Sequence, residues 1–427
     1  MLGKSVNCTD HDVVSTRMVR DRSPAKGAQR VTSTFGWLDA DAEQRRRMLE
    51  LVDLFRDQGT VDEIGIGTVR DALSNTLFPG TSVLHTRLKY VLFVPWLMQR
   101  ATHRQSAGEM AEEFRRLEYR LIDSLLAGGE RQGVMGNTAR ANLKRLPSHA
   151  YWSALGAWGI REEDFTSDGF FRRAHDLRAL ARNTPQADDP EARDRLPSSG
   201  LDAHLPEAPT DLLKSANFTL TREEEQYLSE RIASGAQGRL LGWLVTNPYS
   251  GEVPYVWHIN NLDSAPDDLR IVVDHARRFH TVIYGAAILY NLLLARKAQS
   301  QDLIDEYEVQ AEQWHTELAV TRVLEGWDRT QWSEIIHRQN PKIHKLTMRF
   351  VDDWRSGVEA TDDITRSARL ADVIRNQESR IKRGRARLTN PGALESWSGG
   401  SGLLRLNYRW PIVQNHLGDL YAARESA

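Results

Sequence analysis

The chain has 427 residues, a net charge of −2 and a single cysteine. This length exceeds what one hydrophobic core usually serves, so we expect two or three domains. The lone Cys8 excludes a disulfide framework and a cysteine-based zinc site, and it favours a reducing cytoplasm. Residues 1–30 are polar and contain no apolar stretch of the secretory type, so we predict a disordered tail there.

The small net charge hides an uneven distribution along the chain. Residues 1–30 carry a net +3, 31–183 carry +1, 184–212 and 213–360 carry −5 each, and 361–427 carry +4. A polyanion such as nucleic acid is therefore expected to meet the ends of the sequence rather than its middle. The alternative is that these imbalances are ordinary solvated faces.

Residues 31–183 show the periodicity of an N-terminal helical domain. The clearest stripe consists of Met110, Phe114, Leu117, Leu121 and Leu125, and it predicts an amphipathic helix that ends at Gly128. Two helices are predicted before it, over 68–78 and from 82 to about 100, the second interrupted by Pro95.

Residues 138–160 have the outline of a helix-turn-helix, with Lys144 and Arg145 at the turn. In a DNA-binding protein these two cations would position phosphates. The alternative is an ordinary helical hairpin whose aromatic residues belong to the core.

A proline-rich acidic segment over 184–212 predicts a linker, and it places a domain boundary between 31–183 and a C-terminal helical domain over 213–427. This second domain begins with a capping box at Thr221–Glu224. Further helices are predicted over 236–246, 266–296, 301–325, 331–339, 342–356 and 362–383. The apolar stretch 279–295 is shorter than the roughly 20 residues of a membrane span, so we predict a buried core helix and no membrane.

The end of the sequence favours a small β element. Apolar and polar side chains alternate there with the period of a half-buried strand, in the order Leu404, Arg405, Leu406, Asn407, Tyr408, Arg409, Trp410. A single strand needs a partner, and residues 253–259 are one candidate. The predicted fold is mainly α, with two helical domains and this β element near the C-terminus.

No catalytic, cofactor or metal motif stands out. A phosphate-binding GxxxxGK[ST] loop is absent from the sequence, and the two Glu-x-x-His patterns at Glu312–His315 and Glu334–His337 lack the further glutamates of a di-iron bundle. We therefore predict no cofactor and no metal. Carboxylates that converge only in the fold would still permit a metal-dependent nuclease, so that alternative stays open.

The most informative polar segment is Arg375–Arg387, RNQESRIKRGRAR, in which six basic residues stand against one acidic residue. Cations at this density can displace counterions from a phosphate backbone, while Trp397, Tyr408 and Trp410 could stack on bases or pack in the fold. The candidate nucleic-acid-binding residues are Arg375, Arg380, Lys382, Arg383, Arg385 and Arg387, with Lys144 and Arg145. The alternative is a basic helix end that docks on the acidic middle of the same chain.

Several stretches from Gly36–Asp39 (GWLD) onward resemble an uncharacterised bacterial family. The other resembling stretches are GIGTVRDALSNTLFPGTSVLHTRLKYVLFVPW at 65–96, LKRLPSHAYWSALGAWGI at 143–160, GAAILYNLLLA at 285–295 and LNYRWPIVQNHLGDL at 406–420. This family resembles a component of the Azaca antiphage system, which is encoded beside a helicase with a phospholipase-D-type nuclease domain. The resemblance implies a role in antiviral defence and a helicase–nuclease partner, and it implies no catalytic residues.

Three hypotheses follow. The first is a non-catalytic defence subunit that binds DNA, RNA or the helicase–nuclease partner. The second is an unrecognised nuclease or other effector enzyme, and the third is a pure protein scaffold.

Overall fold

A computed structural model of the protein describes residues 62–138, 143, 145–162, 164–183 and 200–426. The predicted tail over 1–30 lies outside these residues. The α-helices are α1 (Gly67–Leu77), α2 (Tyr90–Ala101), α3 (Ala107–Ala127), α4 (Pro147–Ala157), α5 (Ser167–Asn183), α6 (Arg222–Gly235), α7 (Leu240–Thr246), α8 (Asp267–Ala298), α9 (Gln301–Thr321), α10 (Arg329–Gln339), α11 (Lys345–Glu359), α12 (Ala368–Lys382), α13 (Pro391–Leu394) and α14 (Trp410–Glu425). The mainly helical prediction is confirmed.

Helix α8 lies at the centre of the C-terminal half. It packs against α1, α9, α10, α11 and α12. Among the described helices it is long and apolar enough to cross a membrane, but 89% of its most apolar window is buried inside the protein. This burial is that of a core helix, which agrees with the interpretation of 279–295 made from its length.

Helices α8 and α9 are in close contact at Gly285. A β-carbon built on Gly285 would lie 2.3 Å from the Trp314 ring, and that ring is held in place because its indole nitrogen donates to the Thr281 carbonyl at 2.7 Å. The glycine is thus required by the contact between the helices rather than by a backbone turn.

We expect Gly285→Ala to lower the free energy of unfolding by about 1–3 kcal/mol, because the methyl group would overpack a rigid contact. Urea denaturation measures this change. The matched control is Gly108→Ala in α3, where a β-carbon would meet no atom within 4 Å. An equal effect of the two substitutions would contradict the packing argument.

Helix α3 has the predicted apolar stripe. Met110, Phe114, Leu117, Leu121 and Leu125 are all buried. The helix begins at a capping box, in which the Ser106 hydroxyl accepts from the Glu109 amide and the Glu109 carboxylate accepts from the Ser106 amide. The predicted capping box of α6, formed by Thr221 and Glu224, is also present.

Side chains from both sides of the predicted linker meet in one hydrophobic core. The indole of Trp96 in α2 donates to the Pro206 carbonyl at 2.7 Å, and the Ser124 hydroxyl in α3 donates to the Leu212 carbonyl at 2.6 Å. Residues 200–212 therefore lie against the helices that precede them. The boundary predicted at 184–212 separates two parts of one core rather than two separate cores.

The predicted C-terminal strand is wrong. Within the described residues the only β pairing is an isolated bridge between Arg161 and Leu201. Nδ1 of His280 in α8 donates to the Leu406 carbonyl at 2.8 Å, so a side chain takes the place of a neighbouring strand. Tyr408 and Arg409 then adopt left-handed φ angles of 52° and 68°, which turn the chain directly into α14.

Helix α4 is the second helix of the predicted helix-turn-helix, and most of it is buried. Tyr151, Leu155 and Trp158 are at most 1% exposed, so the aromatic residues pack in the core. This agrees with the helical-hairpin alternative, because a recognition helix must present a face to DNA. Most of the preceding segment, 139–142 and Lys144, lies outside the described residues.

Two buried histidines stack between α4 and α14. The rings of His85 and His416 have centroids 5.4 Å apart, and His85 also stacks on Tyr151 at 4.0 Å. Nδ1 of His85 and Nε2 of His416 have no hydrogen-bond partner among the described residues. Burial lowers the pKa of His85 to about 4 and that of His416 well below 6.5.

We expect the free energy of unfolding to fall as the pH is lowered from about 6.5 to about 4. Burial also lowers the pKa of His280 to about 4 in the folded protein. In this pH window His85, His280 and His416 therefore bind protons in the unfolded chain but stay neutral in the folded protein. Each full shift of that size is worth about 3 kcal/mol. Glu118 opposes the trend, because burial raises its pKa to about 7, but it is one group against three.

Urea denaturation at pH 7 and pH 5 tests this expectation. Equal stability at the two pH values, or greater stability at pH 5, would contradict it.

Candidate nucleic-acid interface

The basic segment 375–387 consists of the second half of α12 and the 3₁₀ turn Arg383–Arg385. Helix α12 ends at Lys382, and Arg383 has a left-handed φ of 51° that redirects the chain. The six cations of this segment differ in exposure, and they lie on a buried side and an exposed side of the helix end.

Glu378 organises the buried side and is itself 0% exposed. Its carboxylate accepts from the backbone amides of Arg387 and Leu388, each at 2.9 Å, and from the Tyr290 hydroxyl at 2.7 Å. Burial and the neighbouring Glu378 carboxylate raise the pKa of Tyr290, which keeps its hydroxyl protonated as a donor. The segment after α12 is therefore folded back onto the helix by its one acidic residue.

Lys382 and Arg387 belong to the same buried network. The Lys382 ammonium pairs with Glu63 and lies 2.8 Å from the Tyr290 hydroxyl. Arg387 pairs with Glu63 at 3.1 Å and donates to the Ser401 hydroxyl at 2.9 Å. A buried charge is stable only when it is paired and hydrogen-bonded, so these two cations serve the fold.

The alternative that the basic helix end docks on the same chain therefore holds in part, but its acidic partners differ from the expected ones. Lys382 and Arg387 dock on Glu63, far to the N-terminal side, and Lys382 also lies 3.4 Å from Glu378 of its own helix. Neither acidic partner comes from the net-negative middle over 213–360.

Arg375, Arg383 and Arg385 form the exposed side. Arg375 pairs with Asp372 at 2.7 Å, one turn earlier on α12. Within the described part of the chain, the side chains of Arg383 and Arg385 make no hydrogen bond or ion pair. Arg380 is partly exposed, and its guanidinium donates to the Gln377 side chain at 2.8 Å. We call Arg375, Arg383 and Arg385 the exposed arginines.

The aromatic residues near this segment do not offer stacking surfaces. Tyr408 and Trp410 are 0% exposed. Their polar atoms are also engaged, since Tyr408 donates to the Ala276 carbonyl at 2.8 Å and Trp410 donates to the Val253 carbonyl at 3.0 Å. Trp397 is half-buried and donates to Asn291 at 3.2 Å. All three pack in the fold.

The remaining candidates are the two cations before α4. Arg145 is exposed at the start of that helix. Lys144 lies outside the described residues, so its predicted role remains a prediction.

The fold adds three cations that the sequence did not single out as a site. Arg296, Lys297 and Arg366 line a cavity together with Arg375. They come from the end of α8 and from the 3₁₀ turn Ile364–Arg366. Arg296 and Lys297 directly follow the apolar stretch 279–295, and their position along the chain gave no reason to group them with Arg375.

The comparison with protein families gives a match over nearly the whole chain. The model of DUF6361, a family of unknown function, matches residues 32–424. The chain belongs to the DUF6361 family. No curated protein and no solved structure matches it. For this DUF6361 chain, chemical arguments about function therefore rest on its own residues.

The titratable residues of the DUF6361 chain do not form a metal site in the described part of the structure. Among the described residues, no group of three or more His, Cys, Asp or Glu side chains could hold a metal ion. The two Glu-x-x-His patterns have local structural contacts instead: His315 accepts from the Ile364 amide at 3.2 Å, and His337 hydrogen-bonds the Ser333 carbonyl at 2.8 Å.

Proposed function

We propose that this protein is a non-catalytic, cytoplasmic subunit of a bacterial antiphage defence system, and that it binds nucleic acid through the exposed arginines. The observation that carries the proposal is the exposure of Arg375, Arg383 and Arg385 in one short segment, with no carboxylate paired to Arg383 or Arg385 in the described part of the chain. The resemblance to the Azaca component supports the defence role. It also supports a helicase with a phospholipase-D-type nuclease domain as the partner.

The physical basis of binding is electrostatic. Each arginine that contacts a phosphate displaces condensed counterions, so affinity falls linearly with salt on a logarithmic scale. Guanidinium groups also match phosphate oxygens in a bidentate manner. Contacts of this kind position a protein on nucleic acid without reading its sequence. The proposal therefore predicts binding with little sequence preference.

Fluorescence anisotropy with labelled single-stranded DNA, double-stranded DNA and RNA tests the proposal. We expect binding at about 50 mM salt and a log–log salt slope of about −2 to −3 if the three exposed arginines each contact one phosphate. The absence of binding to all three nucleic acids at that salt concentration would refute nucleic-acid binding.

The non-catalytic part of the proposal has its own test. Plasmid DNA and phage DNA are incubated with the purified protein and magnesium or manganese. We expect both substrates to remain intact. Cleavage that copurifies with the protein through several columns would replace this proposal with the nuclease alternative.

The scaffold alternative makes a different prediction about the helicase–nuclease partner. If the chain is only a scaffold, the complex should form with nucleic acid removed and the anisotropy signal should be absent. Under our proposal the purified chain binds nucleic acid on its own.

A further inference from the structure

A cavity of about 360 Å³ lies between the end of α8, the 3₁₀ turn Ile364–Arg366 and the start of α12. Four cations from these separate elements line it, namely Arg296, Lys297, Arg366 and Arg375. All four side chains are exposed to solvent. We call this the four-cation cavity.

The residues that line the cavity include no carboxylate. Three of the cations have acidic partners: Arg296 pairs with Glu308 at 2.8 Å, Arg366 with Asp363 at 3.3 Å and Arg375 with Asp372 at 2.7 Å. None of these carboxylates lines the cavity. Exposed pairs of this kind are weak, so the cations can share their charge with an anion that enters. Four cations against three carboxylates leave a positive excess.

Two cations also have neutral partners that fix their positions. Arg296 donates to the Thr365 carbonyl at 2.7 Å, and Lys297 donates to the Leu388 carbonyl at 2.5 Å. These bonds hold the ends of both side chains at the rim without neutralising them. The cavity is thus prearranged for negative charge.

The start of α12 adds a smaller contribution of the same sign. Ser367 caps the helix by accepting from the Leu370 amide at 3.3 Å, and the first turn contains no acidic side chain. Both Ser367 and the exposed Ala368 line the cavity. An anion bound there would interact favourably with the helix dipole.

We propose that the four-cation cavity binds a phosphate monoester, carried either by the end of a nucleic-acid strand or by a free nucleotide. A monoester is a near-dianion with three terminal oxygens, so it can accept from cations on several elements at once. A phosphodiester within a strand continues in both directions and needs a groove rather than a cavity. The volume lies in the range of small-molecule sites, roughly 300–1,000 Å³.

This inference shares Arg375 with the proposed nucleic-acid surface, so its test uses residues that the surface does not include. Ala368→Glu places a carboxylate in the cavity at a helix start, where an acidic residue favours the helix, so the variant is expected to fold. Arg366→Glu reverses an exposed charge whose ion-pair partner among the described residues is Asp363. The matched control is Arg349→Glu, on α11 outside the cavity lining.

Isothermal titration calorimetry is carried out with adenosine 5′-monophosphate, inorganic phosphate, and one oligonucleotide with either a 5′-phosphate or a 5′-hydroxyl. We expect the nucleotide to bind, and Ala368→Glu and Arg366→Glu each to weaken it roughly tenfold or more, with no change in Arg349→Glu. Tighter binding of the phosphorylated oligonucleotide assigns the site to strand ends. Equal binding of the two oligonucleotides, with nucleotide binding retained, assigns it to free nucleotides.

Two results overturn the inference. One is that no phosphate monoester binds the wild-type protein, and the other is that its binding is unchanged in both cavity variants. Failure of the proposed nucleic-acid surface is a separate result, because it appears as no binding of the 5′-hydroxyl oligonucleotide to the wild type, or as binding that is unchanged in variants of Arg383 and Arg385.

Discussion

Glu378→Ala is expected to lower the free energy of unfolding by about 3–5 kcal/mol, the cost of breaking a buried charge network by removing one partner. The carboxylate accepts from two backbone amides and the Tyr290 hydroxyl, and it lies 3.4 Å from the Lys382 ammonium. Removing it would leave the two amides and the Tyr290 hydroxyl without this acceptor, whereas Lys382 would keep Glu63. The turn that follows α12 would lose its attachment to the helix.

Urea denaturation of the wild type and the variant measures the change. Glu395→Ala serves as the control, because Glu395 is exposed and replacing it is expected to cost less than about 0.5 kcal/mol. A loss of under about 1 kcal/mol in Glu378→Ala would show that the buried network contributes little.

The double charge reversal Arg383→Glu/Arg385→Glu is expected to weaken nucleic-acid binding by about 100-fold at low salt. Two attractions to phosphate become two repulsions, and each change is worth on the order of 1–2 kcal/mol in high dielectric. Stability should stay within about 0.5 kcal/mol of the wild type, because neither side chain has a hydrogen-bonding partner in the described part of the chain.

The control for this variant is Arg338→Glu/Arg349→Glu, which makes the same change in net charge on α10 and α11. Both residues are exposed. Equal losses of affinity in the two double variants would show that net charge alone governs binding. That result would remove the exposed arginines as a defined surface.

Local patterns predicted the helices well. The stripe of α3 and its end at Gly128 were correct because apolar side chains recur there with the period of a helix. The core assignment of 279–295 was also correct, because 89% of the most apolar window of α8 is buried inside the protein. The period of α3 is visible in residues a few positions apart, whereas the burial of α8 depends on the helices that pack against it.

The errors concern residues whose partners are distant in sequence. The alternation over 404–410 has the period of a strand, but nothing in that pattern shows that His280 will bind the Leu406 carbonyl. A strand prediction depends on its pairing partner, and pairing is a long-range property. The His280 side chain of α8 binds this segment where a neighbouring strand would have paired with it.

The candidate site shows the same limit. The six cations of 375–387 are alike in the sequence, and their division into buried and exposed sets depends on Glu63, 319 positions before Lys382. The four-cation cavity likewise joins Arg296 and Arg375, which lie on different helices. Charge density singled out the region of the candidate site, whereas only the fold separates its paired, buried cations from its exposed ones.

The central claim is that the exposed arginines contact phosphate whereas Lys382 serves the fold. The salt dependence of nucleic-acid affinity tests it most directly, measured for the wild type, Arg383→Ala/Arg385→Ala and Lys382→Met at a temperature where all three are folded. We predict a log–log slope shallower by about 2 in the double variant and unchanged in Lys382→Met. A slope unchanged in the double variant, or equally reduced in Lys382→Met, would contradict the claim.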